Sequence, residues 1–158
     1  MFREVARKKQ ALSKEECVEV LKKELRGVLS LLGEDGYPYG VTLDHYYDEE
    51  SGRLYFHSGK VGYKIECMKK HDKASFCVMD GGEREEGGWA LKIKSVIVFG
   101  RIGFIDETEE ICRISKLLSL KFTDDLSYIE KEIEKFAKAT AMFYIETEHM
   151  TGKRIVES

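Results

Sequence analysis

The first regular period along the chain begins at Ser13. Cys17, Val18, Leu21 and Leu25 recur at helical spacing and make one apolar stripe. Ser13-x-x-Glu16 has the form of a capping box, whose hydroxyl and carboxylate satisfy two free amides at a helix start. The pattern therefore predicts a helix from Ser13 with Gly27 as its stop. Residues 1–12 ahead of it are basic and patternless, and read as an arm laid over the surface.

After Gly27 the period becomes that of strands. Val28–Leu32 is a short apolar run, and Gly33-Glu34-Asp35-Gly36 has hairpin-turn composition. Val41–Tyr47 is aromatic and β-branched, Asp48–Gly52 is a second turn, and Arg53–Ser58 is a third strand. Turns this short cannot carry a parallel crossover, so the three strands predict an antiparallel meander. A short helix follows over Val61–Lys70 with Ile65 and Met68 buried, then a strand over Lys73–Met79. Asp80–Gly88 contains no apolar side chain and reads as a mobile acidic loop. Trp89–Ile105 is a long β stretch with Gly100 and Gly103 where it bends. Asp106-x-x-Glu109 opens a helix carrying Ile111, Ile114 and Leu118, and Leu126, Ile129, Ile133 and Phe136 mark another. Ala141–Glu148 alternates as a final strand before a polar tail, 149–158. About six strands in runs, with three or four helices, predict an α+β fold whose antiparallel sheet closes or nearly closes into a barrel. No repeat or linker divides the 158 residues, so residues 1–158 read as one domain.

Composition narrows the function. With 42% hydrophobic and 35% charged residues the chain is globular in type. A net charge of −3 and a pI near 5.9 argue against a general nucleic-acid binder. The 26 lysines and arginines leave room for a local basic pocket. Cys17, Cys67, Cys77 and Cys112 form no CxxC pair and no zinc spacing, and read as small buried hydrophobes. MFREVARKKQ has no apolar signal core, and no run approaches the roughly 20 apolar residues of a membrane helix, so the expected location is the cytoplasm.

One segment points to anion chemistry: Tyr55-Phe56-His57-Ser58-Gly59-Lys60-Val61-Gly62-Tyr63-Lys64. A strand ends, two glycines free the backbone, and a helix begins, so its first amides and positive dipole end suit a phosphate. Lys60 and Lys64 lie four apart, and the Ser58 hydroxyl can donate to the same anion. An ordinary strand-to-helix link with solvated lysines has the same pattern, and neither GxxxxGK[ST] nor GxGxxG is present. In Tyr37–Tyr47, Val41, Leu43, His45 and Tyr47 share one strand face, and Thr42, Asp44 and Tyr46 the other. Its four tyrosines serve either barrel packing or a flat aromatic ligand. His45 and His57 fall on consecutive predicted strands, as spatial neighbours. Without HxH or HxxxH spacing or a third ligand they read as hydrogen-bonded histidines rather than a metal site. Ser58 lies in no GxSxG elbow.

Several ordered pieces together resemble a known family. Gly36-Tyr-Pro-Tyr-Gly-Val41, Tyr55-Phe-His-Ser58 with Lys60 and Lys64, Ser95-Val-Ile-Val-Phe-Gly100 and Thr151-Gly-Lys153 are similar to the pyridoxamine 5′-phosphate oxidase-related, FMN-binding split-barrel proteins. Within them the chain most resembles the 5-nitroimidazole resistance branch, from about Arg3 to Lys153. The resemblance implies a six-stranded split barrel forming a homodimer, with two FMN sites at the subunit interface. It puts Ser58, Lys60 and Lys64 on the phosphate, and backbone and side chains of Thr42, Leu43, Asp44, His45, Phe56 and His57 beside the isoalloxazine ring. Ser95 would approach from the partner subunit, and His57 is the candidate catalytic group touching ring or substrate. The implied activity is FMN-dependent reduction of small nitroaromatics. Alternatives within the fold are a non-catalytic flavin-holding or redox-sensing protein, and a haem protein using His57 or His149 as axial ligand. Relatives often carry a Thr/Tyr/Arg-containing stretch ahead of the Ser95 strand, where this chain has Gly87–Lys94 with Trp89.

Overall fold

The computed structural model describes residues 1–157; Ser158, the last residue of the expected tail, lies outside them. In chain order the elements are α1 (Lys14–Lys23), β1 (Arg26–Leu32), β2 (Pro38–Asp44), β3 (Tyr46–Asp48), β4 (Arg53–Gly59), α2 (Tyr63–Lys70), β5 (Lys73–Met79), β6 (Glu83–Arg84), β7 (Leu91–Ile105), α3 (Thr108–Ser119), α4 (Leu126–Phe136) and β8 (Thr140–Glu157). All strand pairings are antiparallel, in the order β2-β1-β5-β7-β8-β4-β3, with the two-residue β6 pairing β7 off that path. The expected six strands correspond to the six of seven residues or more; β3 and β6 are short additions.

Period-two alternation sorts the strands into an inner and an outer face. Leu29, Leu31, Leu54, Phe56, Phe76, Val78, Val96, Val98, Phe143 and Ile145 are buried in one cluster, which is the interior of a curled sheet. Phe56 lies edge-on to Phe76 at 4.9 Å and stacks with Phe143 at 5.3 Å. Cys17, Val18, Val20 and Leu21 of α1 and Ile65, Cys67 and Met68 of α2 join the same cluster, so these two helices close the barrel. The intervening Tyr55 and Met142 point outward and are buried by Ile111 and Ile114 of α3. The capping box at Ser13 and Glu16 is formed in both directions.

Several sequence expectations need correction. Helix α1 ends at Lys23, and Gly27 belongs to β1 instead of stopping the helix. A Cβ on Gly27 would stand 2.4 Å from the Cys77 carbonyl oxygen and 2.7 Å from the Phe76 ring, so that close strand approach excludes a side chain. The expected meander is not continuous. β2 pairs β1 at one end of the strand order, and β3 pairs β4 at the other. Asp80–Gly88 is not a free loop: it contains β6, and the Asp80 carboxylate accepts from the amides of Gly82 and Lys94 at 3.1 and 3.0 Å. Helix α3 is entered through Glu107 without a side-chain cap, so Asp106 does not cap it. The polar tail is a continuation of β8, paired with β7 as far as Leu91↔Glu157 across a register shift at Phe99/Gly100. The polar composition there marks a paired strand, not loss of structure. Cys77 faces outward opposite the buried Phe76, so it is exposed, and Cys112 is half-buried.

The N-terminal arm is laid on β7 and β8. Phe2 stacks on His149 at 5.0 Å, and Ala11 bridges to Lys153.

Between β2 and β3 the chain crosses from one sheet end to the other at His45, which is fully buried. Its Nε2 lies 2.7 Å from the Leu21 carbonyl oxygen, and Nδ1 has no partner among the described residues, so the neutral ring carries its proton on Nε2 and donates it there. The ring also meets Phe76 edge-on at 5.0 Å, and the His45 amide donates to the Leu25 carbonyl. From beyond α3, Lys121 Nζ donates to the carbonyls of Glu24 and His45 at 2.6 and 2.8 Å. Burial pushes the His45 pKa down to about 4, with repulsion from Lys121 acting the same way. Burial also lowers Lys121 to about 8, against the pull of Asp44 and Glu24.

In an unfolded chain His45 protonates near 6.5, and in the fold only near 4, so between those values the unfolded state binds more protons. Stability carried by the neutral ring is therefore full above pH 6.5 and falls by about 3 kcal/mol as the pH drops to 4. Urea denaturation at pH 6.5, 5 and 4 should show this loss, and His45→Gln, which keeps a neutral donor, should flatten it. An equal slope in the variant would place the titration elsewhere. Gly27→Ala should cost about 3 kcal/mol in the same assay, because the neighbour it strikes is backbone.

Candidate functional site

The curl of the sheet brings the end of β2 against β4. Thr42, Leu43 and Asp44 of β2, Arg26 of β1 and His57 of β4 line one open cleft of about 260 Å³. Alternation along β4 produces this: Leu54 and Phe56 go to the core, so His57 turns outward and is exposed. Arg26 is the cross-strand partner of Asp44, and its Nε lies 3.1 Å from the Asp44 carboxylate. Both side chains contact water, so this pair orients Asp44 more than it stabilises the fold. Desolvation against the cleft lowers the His57 pKa, and the Asp44 carboxylate opposes that shift. The ring is therefore mainly neutral at pH 7, one nitrogen a donor and the other an acceptor.

Immediately after His57, Ser58 donates its hydroxyl hydrogen to the Gly59 carbonyl at 2.9 Å. The chain then turns through Gly62, whose φ of 135° disfavours any side chain, into α2. The Gly62 carbonyl accepts from Ile65 and Glu66 at 3.0 and 3.2 Å, while the amides of Tyr63 and Lys64 precede the first helical bonds. Tyr63 ties this turn to the β1–β2 hairpin: its hydroxyl accepts from the Glu34 amide at 2.9 Å, and its ring meets Tyr39 edge-on at 4.8 Å. Two segments far apart in sequence are thereby held as one rim.

The predicted site residues separate into groups. Thr42, Leu43, Asp44 and His57 share the cleft, and Ser58 follows in the chain. His45 and Phe56 place their side chains in the core, which leaves only their main-chain atoms for a ligand and corrects the expectation for their side chains. Lys60 lines a different cleft, between α2 and α3, and Lys64 is half-buried in the first turn of α2. Ser95 of β7, cross-strand from Lys153, borders a cavity with Val5, Ile97 and Thr151, apart from His57 in this chain. Trp89 is 73% exposed.

Sequence reading missed Arg26 and Lys121. Arg26 was hidden by the assumption that the helix ran to Gly27. Lys121 stands three residues past Leu118, at the next position of the Ile111–Ile114–Leu118 stripe, and a lysine at an apolar position is the signal of a buried amine.

No curated protein sequence matches the chain. Solved structures share the fold. A candidate 5-nitroimidazole antibiotic resistance protein from Bacteroides thetaiotaomicron VPI-5482 superposes with TM-score 0.78 at 20% identity, over 92% of this chain and 87% of that one. An FAD-binding protein from Mesorhizobium loti superposes with TM-score 0.66 at 26% identity, over 92% and 97%. An FAD and haem binding protein from Mycobacterium smegmatis gives TM-score 0.70 at 16% identity, over 92% and 72%. These place the curled α+β sheet among split barrels. The family model for pyridoxamine 5′-phosphate oxidase matches residues 13–154, from the α1 cap well into β8, and the chain belongs to that family.

Proposed function

We propose that this protein is a cytoplasmic FMN-binding flavoprotein, active as a homodimer, that reduces small nitroaromatic compounds such as nitroimidazoles. The observation that carries the reading is the continuous run from His57 through Ser58 and Gly62 into α2. It leads from the imidazole of His57, which lines the β2–β4 cleft, directly through a hydroxyl to the free amides at the start of α2. These residues fit a flavin monophosphate: Ser58, the first amides of α2, Lys64 and Lys60 would hold the phosphate. Thr42, Leu43, Asp44 and the main chain at His45 and Phe56 would flank the ring, and His57 would touch ring or substrate. Bound flavin would supply the electron transfer to the nitro group. The chain's own part is to orient the ring, exclude water, and offer a hydrogen bond from His57 at neutral pH.

The homodimer rests on the outer sheet face. Val28, Cys77 and Ile97 are successive cross-strand neighbours, all exposed, and Met79 beside them is 65% exposed. A second copy seated there would cover this face and bring Ser95 toward its cleft. No helix among the described residues is long and apolar enough to cross a membrane.

Purified protein incubated with FMN should show a protein-bound flavin spectrum, and sedimentation should give twice the 18.2 kDa chain mass. A Soret band without flavin bands would replace FMN by haem, and chromatography of the heat-released pigment separates FMN from FAD. Replacing Lys60 and Lys64 together by alanine should weaken FMN at least about tenfold and leave phosphate-free riboflavin unchanged. Equal loss for both ligands would reject the lysines as phosphate holders. With NADPH and a nitroimidazole, His57→Gln should lower kcat while FMN affinity stays within about twofold. Bound FMN without turnover in the parent protein would leave a flavin-holding protein instead.

A further inference from the structure

A separate cleft of about 460 Å³ opens between α2, α3 and the paired ends of β7 and β8. Its floor is apolar: Ile65, Ile111 and Met142 are themselves buried, and the Phe104 ring remains 37% exposed beside them. Lys60 and Lys69 line the same cleft, with Asp106 as its one acidic residue. Neither lysine enters an ion pair among the described residues, whereas the adjacent Lys70 of α2 pairs with Glu34.

An apolar floor beside two unpaired ammonium groups discriminates by chemistry. A bare inorganic anion leaves the floor wet, and a neutral hydrocarbon leaves the lysines without a counter-charge. An amphipathic anion satisfies both: its body removes Phe104 and the aliphatic floor from water, at about 25 cal/mol per Å². Its head meets the lysines where the nearby low-dielectric wall strengthens their attraction. The volume lies in the range of small-molecule sites. We propose that this cleft binds a small amphipathic monoanion, an aryl or medium-chain alkyl carboxylate, at a site distinct from the His57 cleft.

Lys60 is also the proposed phosphate ligand, so the test uses Lys69 and the floor. Calorimetric titration of the full chain with decanoate should give saturable binding, and decanol should bind at least about tenfold more weakly. Lys69→Gln should weaken decanoate about tenfold, with decanol affinity, FMN affinity and Tm unchanged. Ala141→Leu, which adds bulk to the lining, should abolish binding of both. The Lys69→Gln result decides the matter alone if the Ala141 variant does not fold. Absence of decanoate binding, equal affinity for decanoate and decanol, or an unchanged Lys69→Gln variant would overturn the proposal. Displacement of decanoate by FMN would do so too, by assigning the cleft to the flavin site. Decanoate binding by protein that takes up no FMN would leave this inference standing while the flavin reading fell.

Discussion

The architecture depends on how the chain gets from one end of its sheet to the other at His45. A strand cannot continue through that point, because β2 bonds to β1 and β3 bonds to β4, at opposite ends of the order. The crossing residue is drawn into the core, where every polar group but Nδ1 finds a partner. The ring donates to Leu21, its amide donates to Leu25, and its carbonyl accepts from Lys121. Lys121 also holds Glu24, so one amine fastens the α1–β1 link and the strand crossing together. Asp44, the residue before the crossing, is thereby fixed opposite His57. The cleft exists because the barrel is split at this point.

The same arrangement sets the electrostatics of the cleft. Lys121 sits behind Asp44, Arg26 beside it, and His57 across from it. Arg26 and Lys121 bring positive charge to this end of the cleft, while desolvation keeps the imidazole neutral. A neutral ring beside a fixed anion is a hydrogen-bonding element and not a cation.

Much of this was legible in the sequence where one physical rule dominated. The α1 capping box, the buried faces of α2 and α3, and the strands over Arg53–Ser58 and Lys73–Met79 follow from periodicity and local hydrogen bonding. Errors came where tertiary pairing overrode local pattern. Gly27 looks like a helix stop, but its missing side chain serves the approach of β1 to β5. The polar stretch after Glu148 looks like a tail, yet a long partner strand supplies its hydrogen bonds. In the site, the Ser58–Lys64 turn could be read from glycine placement and helix-start chemistry. That His45 turns inward with Val41, Leu43 and Tyr47 while Asp44 faces the other way follows from alternation, but that the strand breaks there and its two halves join opposite sheet ends does not. Lys121 belongs to the site only through contacts that span 76 and 97 residues.

Strand β8 lies between β7 and β4, with Arg53↔Glu146 and Gly59↔Thr140 marking the limits of its pairing with β4. Nearly the whole chain must therefore leave the ribosome before β4 acquires its neighbour. Until then Leu54 and Phe56 have no strand beside them on that side, and β4 with the short β3 is an unclosed apolar ribbon. Loop closure over so many residues is slow relative to local helix and hairpin formation. Vectorial synthesis thus leaves barrel closure among the last events, and the half-made chain exposes the edge most prone to pair with another copy.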